Sequence, residues 1–240
     1  MQAGEITMIK KIVTASVLVC CSIAGTAQAA LEGRDLNGSI DSFEAYYDTV
    51  LNITWLDVNS GAMGQQAEFW ALNLSIVDVV NNITYDGWRL PTVTGVSRCK
   101  MSYNGTDCGW NVNTDHSELA HLFHVELGNK AYYNTSAVGP QDGWGLRNAG
   151  PFTNLSPNTY WSTSDIGLMN FSFSSGYQNR TNQDFYFHAL AVSDGDVGIP
   201  AAIPEASTYA MFLAGLGLVG FMAQRRKHTR IQHQQKRGIE

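Results

Sequence analysis

Two apolar segments, one near each end of the 240-residue sequence, limit which residues can form a folded domain. The first, at 12–23, follows two lysines and leads into Gly-Thr-Ala-Gln-Ala-Ala. A basic start, an apolar stretch of about a dozen residues and an Ala-x-Ala site form the pattern of a secretory signal peptide. We therefore predict a signal peptide over 1–29, translated from Met8, with Ala27 and Ala29 as the small residues before the cleaved bond.

The second apolar segment, at 206–223, contains no charged residue. As a helix it would be about 27 Å long at 1.5 Å per residue, close to the ~30 Å hydrocarbon core of a bilayer. A basic cluster at 225–230 follows it, and positive residues beside such a helix stay in the cytoplasm. The pattern predicts a transmembrane helix at about 206–223, a cytoplasmic basic tail at 229–240 and a domain on the opposite side of the membrane.

Residues 204–228 combine the motif Pro204-Glu205-Ala206, an apolar run with Gly-Leu-Gly-Leu, and the basic cluster. Together they resemble the PEP-CTERM sorting signal of Gram-negative bacteria, although Ala206 stands where that motif has its second proline. The resemblance implies that an exosortase, a membrane enzyme, removes the tail and releases the protein to the cell surface or to an exopolysaccharide matrix. A permanent single-pass anchor is the alternative.

The residues between these segments suit one domain of ordinary size, which we place at 30–196, followed by a linker at 197–203. Between residues 30 and 203 there are 18 acidic and 7 basic side chains, a net charge of −11. An acidic surface repels phosphate backbones, so this charge argues against nucleic acid as a partner.

Local patterns predict helices early in the domain. Residues 46–57 alternate like a strand and lead to a Gly-rich loop at 61–64. Ala67, Trp70, Ala71 and Leu74 then have the spacing of an amphipathic helix.

A second helix is predicted at 117–127, with Asp115 as its N-cap, Glu118 completing the capping box and Gly128 ending it. Later alternation and turn signals predict strands at 159–163, 169–173 and 185–192. The sequence therefore predicts an α+β fold with two helices and several short antiparallel strands.

A second resemblance covers most of the domain. Its most specific element is Trp-Arg-Leu-Pro within 86–92, and further matching segments lie at 70–71, 117–122, 160–163, 171–176 and 189–192. These segments resemble the Lcl C-terminal domain family, which is similar to C-type-lectin-like folds, although Ser193 stands where that family often has arginine. The resemblance implies a single C-type-lectin-like domain more than it implies an activity.

Cys99 and Cys108 are the cysteines that remain after the predicted signal peptide is removed. An exported protein meets an oxidising environment, so these two residues are predicted to form a disulfide. A reactive thiol or a metal-binding pair is the alternative.

Several polar residues have side chains that can act as metal ligands. His116, His121 and His124 lie near Glu118 and Glu126 on the second helix, where a solvated polar face is the better interpretation. Aspartates at 107, 115, 142, 194 and 196 offer calcium-type oxygens, but they lack EF-hand spacing and suit turns. No metal ion and no cofactor is predicted.

Aromatic side chains are the better candidates for ligand contacts. Trp88 and Arg89 could stack together, although a core tryptophan beside a structural arginine is favoured. Trp110 and Trp144 lie in Gly- and Asn-rich loops, where binding residues concentrate and where rings can stack on sugars.

Three functional hypotheses remain. The first is an exported, non-catalytic binding module for the cell surface or extracellular matrix, with carbohydrate as its ligand. The second is an enzyme on a lectin-like scaffold that uses a thiol or a metal. The third is a structural protein of an exopolysaccharide matrix.

Overall fold

The described residues of the computed structural model run from 31 to 39 and from 41 to 198. The predicted signal peptide, sorting tail and basic tail lie outside these ranges. The described part of the chain contains no helix long and apolar enough to cross a membrane. The helix predicted at 206–223 lies outside the described residues. Val197 and Gly198, which the sequence assigned to a linker, still contact the domain: Val197 is buried and the Gly198 N–H donates to the Tyr85 hydroxyl.

Short strands dominate this part of the chain. In chain order they are β1 (Leu31–Arg34), β2 (Ala45–Asp48), β3 (Ile53–Met63), β4 (Ile76–Asp78), β5 (Ile83–Tyr85), β6 (Thr92–Val93), β7 (Met101–Ser102), β8 (Cys108–Trp110), β9 (Thr159–Ser164), β10 (Gly167–Ser172), β11 (Tyr177–Arg180) and β12 (Tyr186–Asp194). The helices are α1 (Gly64–Leu72) and α2 (Glu118–His121), and α2 continues as a π-helix (Leu122–Glu126).

Most of the strands form one sheet with the order β1-β2-β3-β12-β9-β10-β11-β8-β7, and β6 is added beside β9. β4 and β5 form a separate hairpin. Pairing is antiparallel except where β12 and β6 meet β9 and where β7 meets β8. The α+β class, with two short helices and a mostly antiparallel sheet, is confirmed.

The segment predicted as one strand at 46–57 is a hairpin, so that prediction was wrong. β2 ends at Asp48, whose Oδ1 accepts from the Val50 and Leu51 N–H groups at 3.0 and 2.9 Å. Asn52 has φ +53°, a conformation that asparagine tolerates better than most residues. Because the Asp48 side chain and Asn52 together close a tight turn, the chain reverses inside the alternating pattern.

The Gly-rich loop predicted at 61–64 is also wrong, because β3 continues to Met63 and α1 begins at Gly64. A Cβ atom at Gly61 would lie 2.7 Å from the Tyr186 hydroxyl, and one at Gly64 would lie 2.5 Å from Leu168 Cδ1. These glycines therefore permit close packing rather than a loop.

The helix α1 confirms the predicted amphipathic stripe only in part. Ala67 and Ala71 are fully buried and Phe69 is 70% exposed on the opposite side, but Trp70 is half-buried and Leu74 lies beyond the last helical residue, Leu72.

The second helix is only partly as predicted. Its N-cap is Ser117, whose Oγ accepts from the Ala120 N–H at 3.3 Å, and not Asp115. Ser117 takes the N-cap position because its hydroxyl also donates to Gln178 Oε1 at 2.6 Å, which fixes this side chain inside the domain. Gly128, with φ +64°, follows the helical segment as predicted.

Both faces of the main sheet are covered. Along β12, Leu190 and Val192 pack against the side that carries α2 and the π-helix, whereas Ala189 and Ala191 pack against the side that carries α1. Successive side chains of β12 therefore point to opposite faces of the sheet and contribute to two cores. This is the pattern of a sheet buried on both faces.

A polar junction centred on Arg89 joins the second helix to the sheet. The Arg89 guanidinium donates to both carboxylate oxygens of Glu118 at 2.9 Å and to Asp194 at 2.6 Å. Glu118 Oε2 also accepts from the Thr92 N–H at 2.7 Å. Burial lowers the pKa of Arg89, but the hydrogen bonds and charges of Glu118 and Asp194 together outweigh it, so the net shift is upward. The backbone of Arg89 pairs with Val192 in β12.

We predict that Arg89→Lys lowers the free energy of unfolding by about 1–3 kcal/mol, because an ammonium cannot reproduce the two parallel bonds to Glu118. The Arg89 side chain is 26% exposed and that of Glu118 is 15% exposed, so the loss falls below that of a fully buried pair. Denaturant unfolding measures it, with Arg180→Lys at an exposed strand end as the matched control. Equal stability of the two variants would contradict the role of this junction.

Candidate binding surface

Six partly exposed aromatic side chains lie together near the β7–β8 edge of the sheet, and we call them the aromatic patch. They are Tyr103, Trp110, Tyr132, Tyr133, Trp144 and Tyr177. Tyr103 and Trp110 stack with their ring centroids 5.1 Å apart, and Trp110 also contacts Tyr133 and Tyr177. Tyr132 joins Tyr133 to Trp144, with centroids 4.8 and 4.7 Å away. The rings therefore form one continuous surface.

Amide side chains fix the loops that carry these rings. Asn111 Nδ2 donates to the carbonyl oxygens of Tyr103 and Tyr133 at 3.0 and 2.9 Å. Gln141 Nε2 donates to the carbonyl oxygens of Ala131 and Tyr133 at 2.8 and 3.1 Å. Because each amide bridges backbone groups, the patch is held in shape before any ligand arrives.

A polar cleft of about 280 Å³ adjoins the patch through a shared loop. Its lining residues are Val93, Thr94, Gly95, Gly105, Thr106, Asp107, Asn113, His116 and Gln178. The loop between β7 and β8 supplies Tyr103 to the patch and 105–107 to the cleft. Gln178 is committed to the protein, since its Nε2 donates to the Asp107 carbonyl at 2.7 Å. His116 is exposed, with Nδ1 3.3 Å from Thr94 Oγ1.

The predicted disulfide between Cys99 and Cys108 is present, and it closes the loop that carries Tyr103. Both sulfur atoms are bonded to each other, so neither cysteine is a thiol in this structure. The bond therefore supports one wall of the cleft and one end of the patch.

The four residues predicted as possible ligand contacts, Trp88, Arg89, Trp110 and Trp144, fall into two groups. Trp110 and Trp144 lie in the patch, although Trp110 ends the strand β8 and is not in a loop as predicted. Trp88 is fully buried and its Nε1 donates to the Tyr85 carbonyl at 3.0 Å, so its ring offers no surface to a ligand. Arg89 is engaged in the junction with Glu118 and Asp194.

Sequence reasoning missed Tyr103 and Tyr177 as members of the patch. Tyr103 precedes Asn-Gly, a turn signal that places it in a loop, but Tyr177 begins a strand and carries no such signal. Only the pairing of β11 with β8 brings Tyr177 beside Trp110.

The histidines of the second helix have separate environments. His124 is largely buried, which lowers its pKa, although a contact of 3.1 Å with the Asn129 carbonyl raises it. His121 is 5% exposed, so the solvated polar face predicted for it is wrong. Its Nε2 lies 3.3 Å from Glu126 Oε1, and a carboxylate oxygen of Asp48 lies within 4.8 Å of both residues.

The aspartates that offer calcium-type oxygens have separate environments. Asp194 accepts from Arg89, Asp196 accepts from Arg34, and Asp107 lies at the cleft. Asp115 and Asp142 are exposed.

A family model for the PEP-CTERM protein-sorting motif matches residues 202–227. The chain thus carries the signal of an exported protein that is anchored transiently in the membrane and sorted by an exosortase. This match confirms the sorting signal predicted at 204–228. No curated protein and no solved structure matches the chain.

We predict that replacing both Cys99 and Cys108 with serine lowers the free energy of unfolding by roughly 2–3 kcal/mol, because the disulfide restricts a ten-residue loop of the unfolded chain. Denaturant unfolding of the variant and of the wild-type protein measures the loss. Reduction of the wild-type protein should reproduce it without a substitution. Protein from the cell envelope should show no reactive thiol before reduction, and labelling of either cysteine would contradict the assignment.

Proposed function

We propose that this chain is a non-catalytic binding module that holds polysaccharide at the aromatic patch and reaches the cell surface or extracellular matrix through its sorting signal. The observation that carries this proposal is the patch itself, six neighbouring rings that remain partly exposed although the described part of the chain has three core clusters to fill. Contiguous exposed apolar surface on a soluble domain commonly marks an interaction site.

The chemistry of the patch suits sugars. The flat faces of Trp and Tyr rings offer apolar area while their polar atoms can bond hydroxyl groups. The indole N–H of Trp110 is buried and has no hydrogen-bond partner among the described residues, so the contact with a sugar would come from the rings and not from this donor.

The net charge of the domain favours some classes of polysaccharide over others. The domain between residues 30 and 203 has a net charge of −11, which disfavours a strongly anionic polymer. In the cleft, Asp107, Asn113 and His116 present groups that can donate to or accept from hydroxyls. We therefore propose a neutral polysaccharide that lies along the rings, with one sugar unit entering the cleft.

The finer fold assignment also belongs to this proposal. We propose a C-type-lectin-like arrangement, supported by the position of the last strand, β12, beside β3 from the beginning of the domain. Two helices that precede the later strands and a disulfide-closed loop are also consistent with it.

We predict that Trp110→Ala and Trp144→Ala each weaken binding to a neutral polysaccharide by roughly 5–30-fold, as expected for a central aromatic contact worth about 1–2 kcal/mol. Affinity electrophoresis of the full-length protein in detergent, through gels that contain the polysaccharide, measures retardation. Phe69→Ala is the matched control, because Phe69 is an exposed ring on α1 outside the patch.

Two results would contradict the proposal. One is a patch variant that binds neutral polysaccharides as tightly as the Phe69 variant does. The other is a wild-type protein that binds none of them while it associates with the isolated matrix, which would favour a purely structural role.

We predict that the protein recovered from its cells in the released fraction begins at Ala30 and ends near 204–206. Intact mass measured separately on membrane and released fractions tests this. Changing Arg225, Arg226 and Lys227 to glutamine should leave the full tail on the protein in the membrane fraction, whereas Glu240→Ala should not. A wild-type protein that keeps its tail in the membrane would make the segment a permanent anchor.

A further inference from the structure

A cluster of three titratable side chains lies between the β2–β3 hairpin and the second helix, and none of them belongs to the aromatic patch. Asp48 ends β2, His121 ends α2 and Glu126 ends the π-helix. One ligand-type atom from each residue lies within 4.8 Å of those from the other two. Two distant parts of the sequence therefore converge on one point.

The π-helix explains why His121 and Glu126 meet. In an α-helix, residues five apart point in different directions, because one turn takes 3.6 residues. Here the Leu127 N–H donates to the Leu122 carbonyl at 3.0 Å, the i→i+5 bond of a wider turn. The wider turn places His121 Nε2 3.3 Å from Glu126 Oε1. Single π-turns within helices are frequent at functional sites.

The cluster has more negative groups than positive ones. The side chains of His121 and Glu126 are 6% and 2% exposed, and Asp48 is 1% exposed. Among the described residues, neither carboxylate forms a salt bridge with lysine or arginine. Two buried carboxylates with a single imidazole are costly unless a proton or a further positive charge neutralises part of the excess.

The separation of His121 and Glu126 matches that of two ligands in a coordination shell, and Asp48 lies close enough to approach the same ion. Two ligands that each lie about 2.0–2.1 Å from a tetrahedral zinc ion are about 3.3–3.4 Å apart, close to the separation of His121 and Glu126. The Asp48 carboxylate is oriented by the Val50 and Leu51 N–H groups on Oδ1, while Oδ2 has a longer contact of 3.4 Å with Trp55 Nε1. Such outer hydrogen bonds are what orient a metal-binding carboxylate.

We propose that Asp48, His121 and Glu126 bind one divalent transition-metal ion, zinc or manganese, which links the β2–β3 hairpin to the second helix. The imidazole suits zinc and the two carboxylates suit manganese, whereas calcium takes six to eight oxygen ligands. Three protein ligands leave a further position for water. The alternative is a hydrogen-bonded His121–Glu126 pair that needs no ion.

Thermal unfolding of the full-length protein in detergent, after chelator treatment, distinguishes the two. Zinc or manganese should bind once per chain and raise Tm by roughly 5–10 °C at a hundredfold excess over Kd, because only the folded state has the site. Asp48→Asn and Glu126→Gln keep side-chain size, and asparagine can still accept the Val50 and Leu51 N–H groups. Each should weaken metal binding at least tenfold.

Two variants serve as matched controls, because their residues are exposed and lie outside the cluster: Asp142→Asn and Glu68→Gln should bind the metal as the wild-type protein does. Equal stabilisation by calcium would overturn the choice of ion, and wild-type affinity in Asp48→Asn would overturn the site. If the variants do not fold, cobalt added to the wild-type protein gives a second readout. Visible absorption bands of a bound, low-symmetry cobalt ion support the proposal, and their absence overturns it.

Discussion

The bidentate contact between Arg89 and Glu118 is the interaction on which the arrangement of this domain depends. It fixes the first residue of the second helix to the strand segment that precedes β6, and its third partner, Asp194, ends the central strand β12. A guanidinium presents a rigid fork that matches a carboxylate, so the contact sets orientation as well as distance. Everything that follows on the second helix, including His121 and Glu126, takes its position from that starting point.

The main sheet makes such a junction necessary. Its strands are short and its two faces carry separate cores, so the helices α1 and α2 do not pack against each other as one layer. Hydrophobic burial holds each helix to its own face, but burial is non-directional and does not select the register of a four-residue helix. Directional polar contacts made by Arg89 and Ser117 select the register of this helix.

The aromatic patch and the acidic–histidine cluster depend on the fold in different ways. The patch combines loop residues with Trp110 of β8 and Tyr177 of β11, and side-chain amides and a disulfide help to hold its loops in place. The cluster is buried and depends on a local change of helix type. A surface of partly exposed rings suits contact with an extended external ligand, whereas three buried ligands suit an ion that strengthens the domain. The two proposals therefore rest on separate observations.

The sequence by itself determined the sorting signal, the α+β class, the first helix and the disulfide, because each depends on residues that are close in the chain or on composition. Tertiary structure decided the rest. Residues 46–57 became a hairpin because the Asp48 side chain closes a turn that alternation alone does not reveal. Tyr177 joined the patch through strand pairing, and His121 met Glu126 because the helix widened after α2. Periodicity reports which face a residue occupies within one element, but it contains no information on which elements become neighbours or on where a helix departs from 3.6 residues per turn.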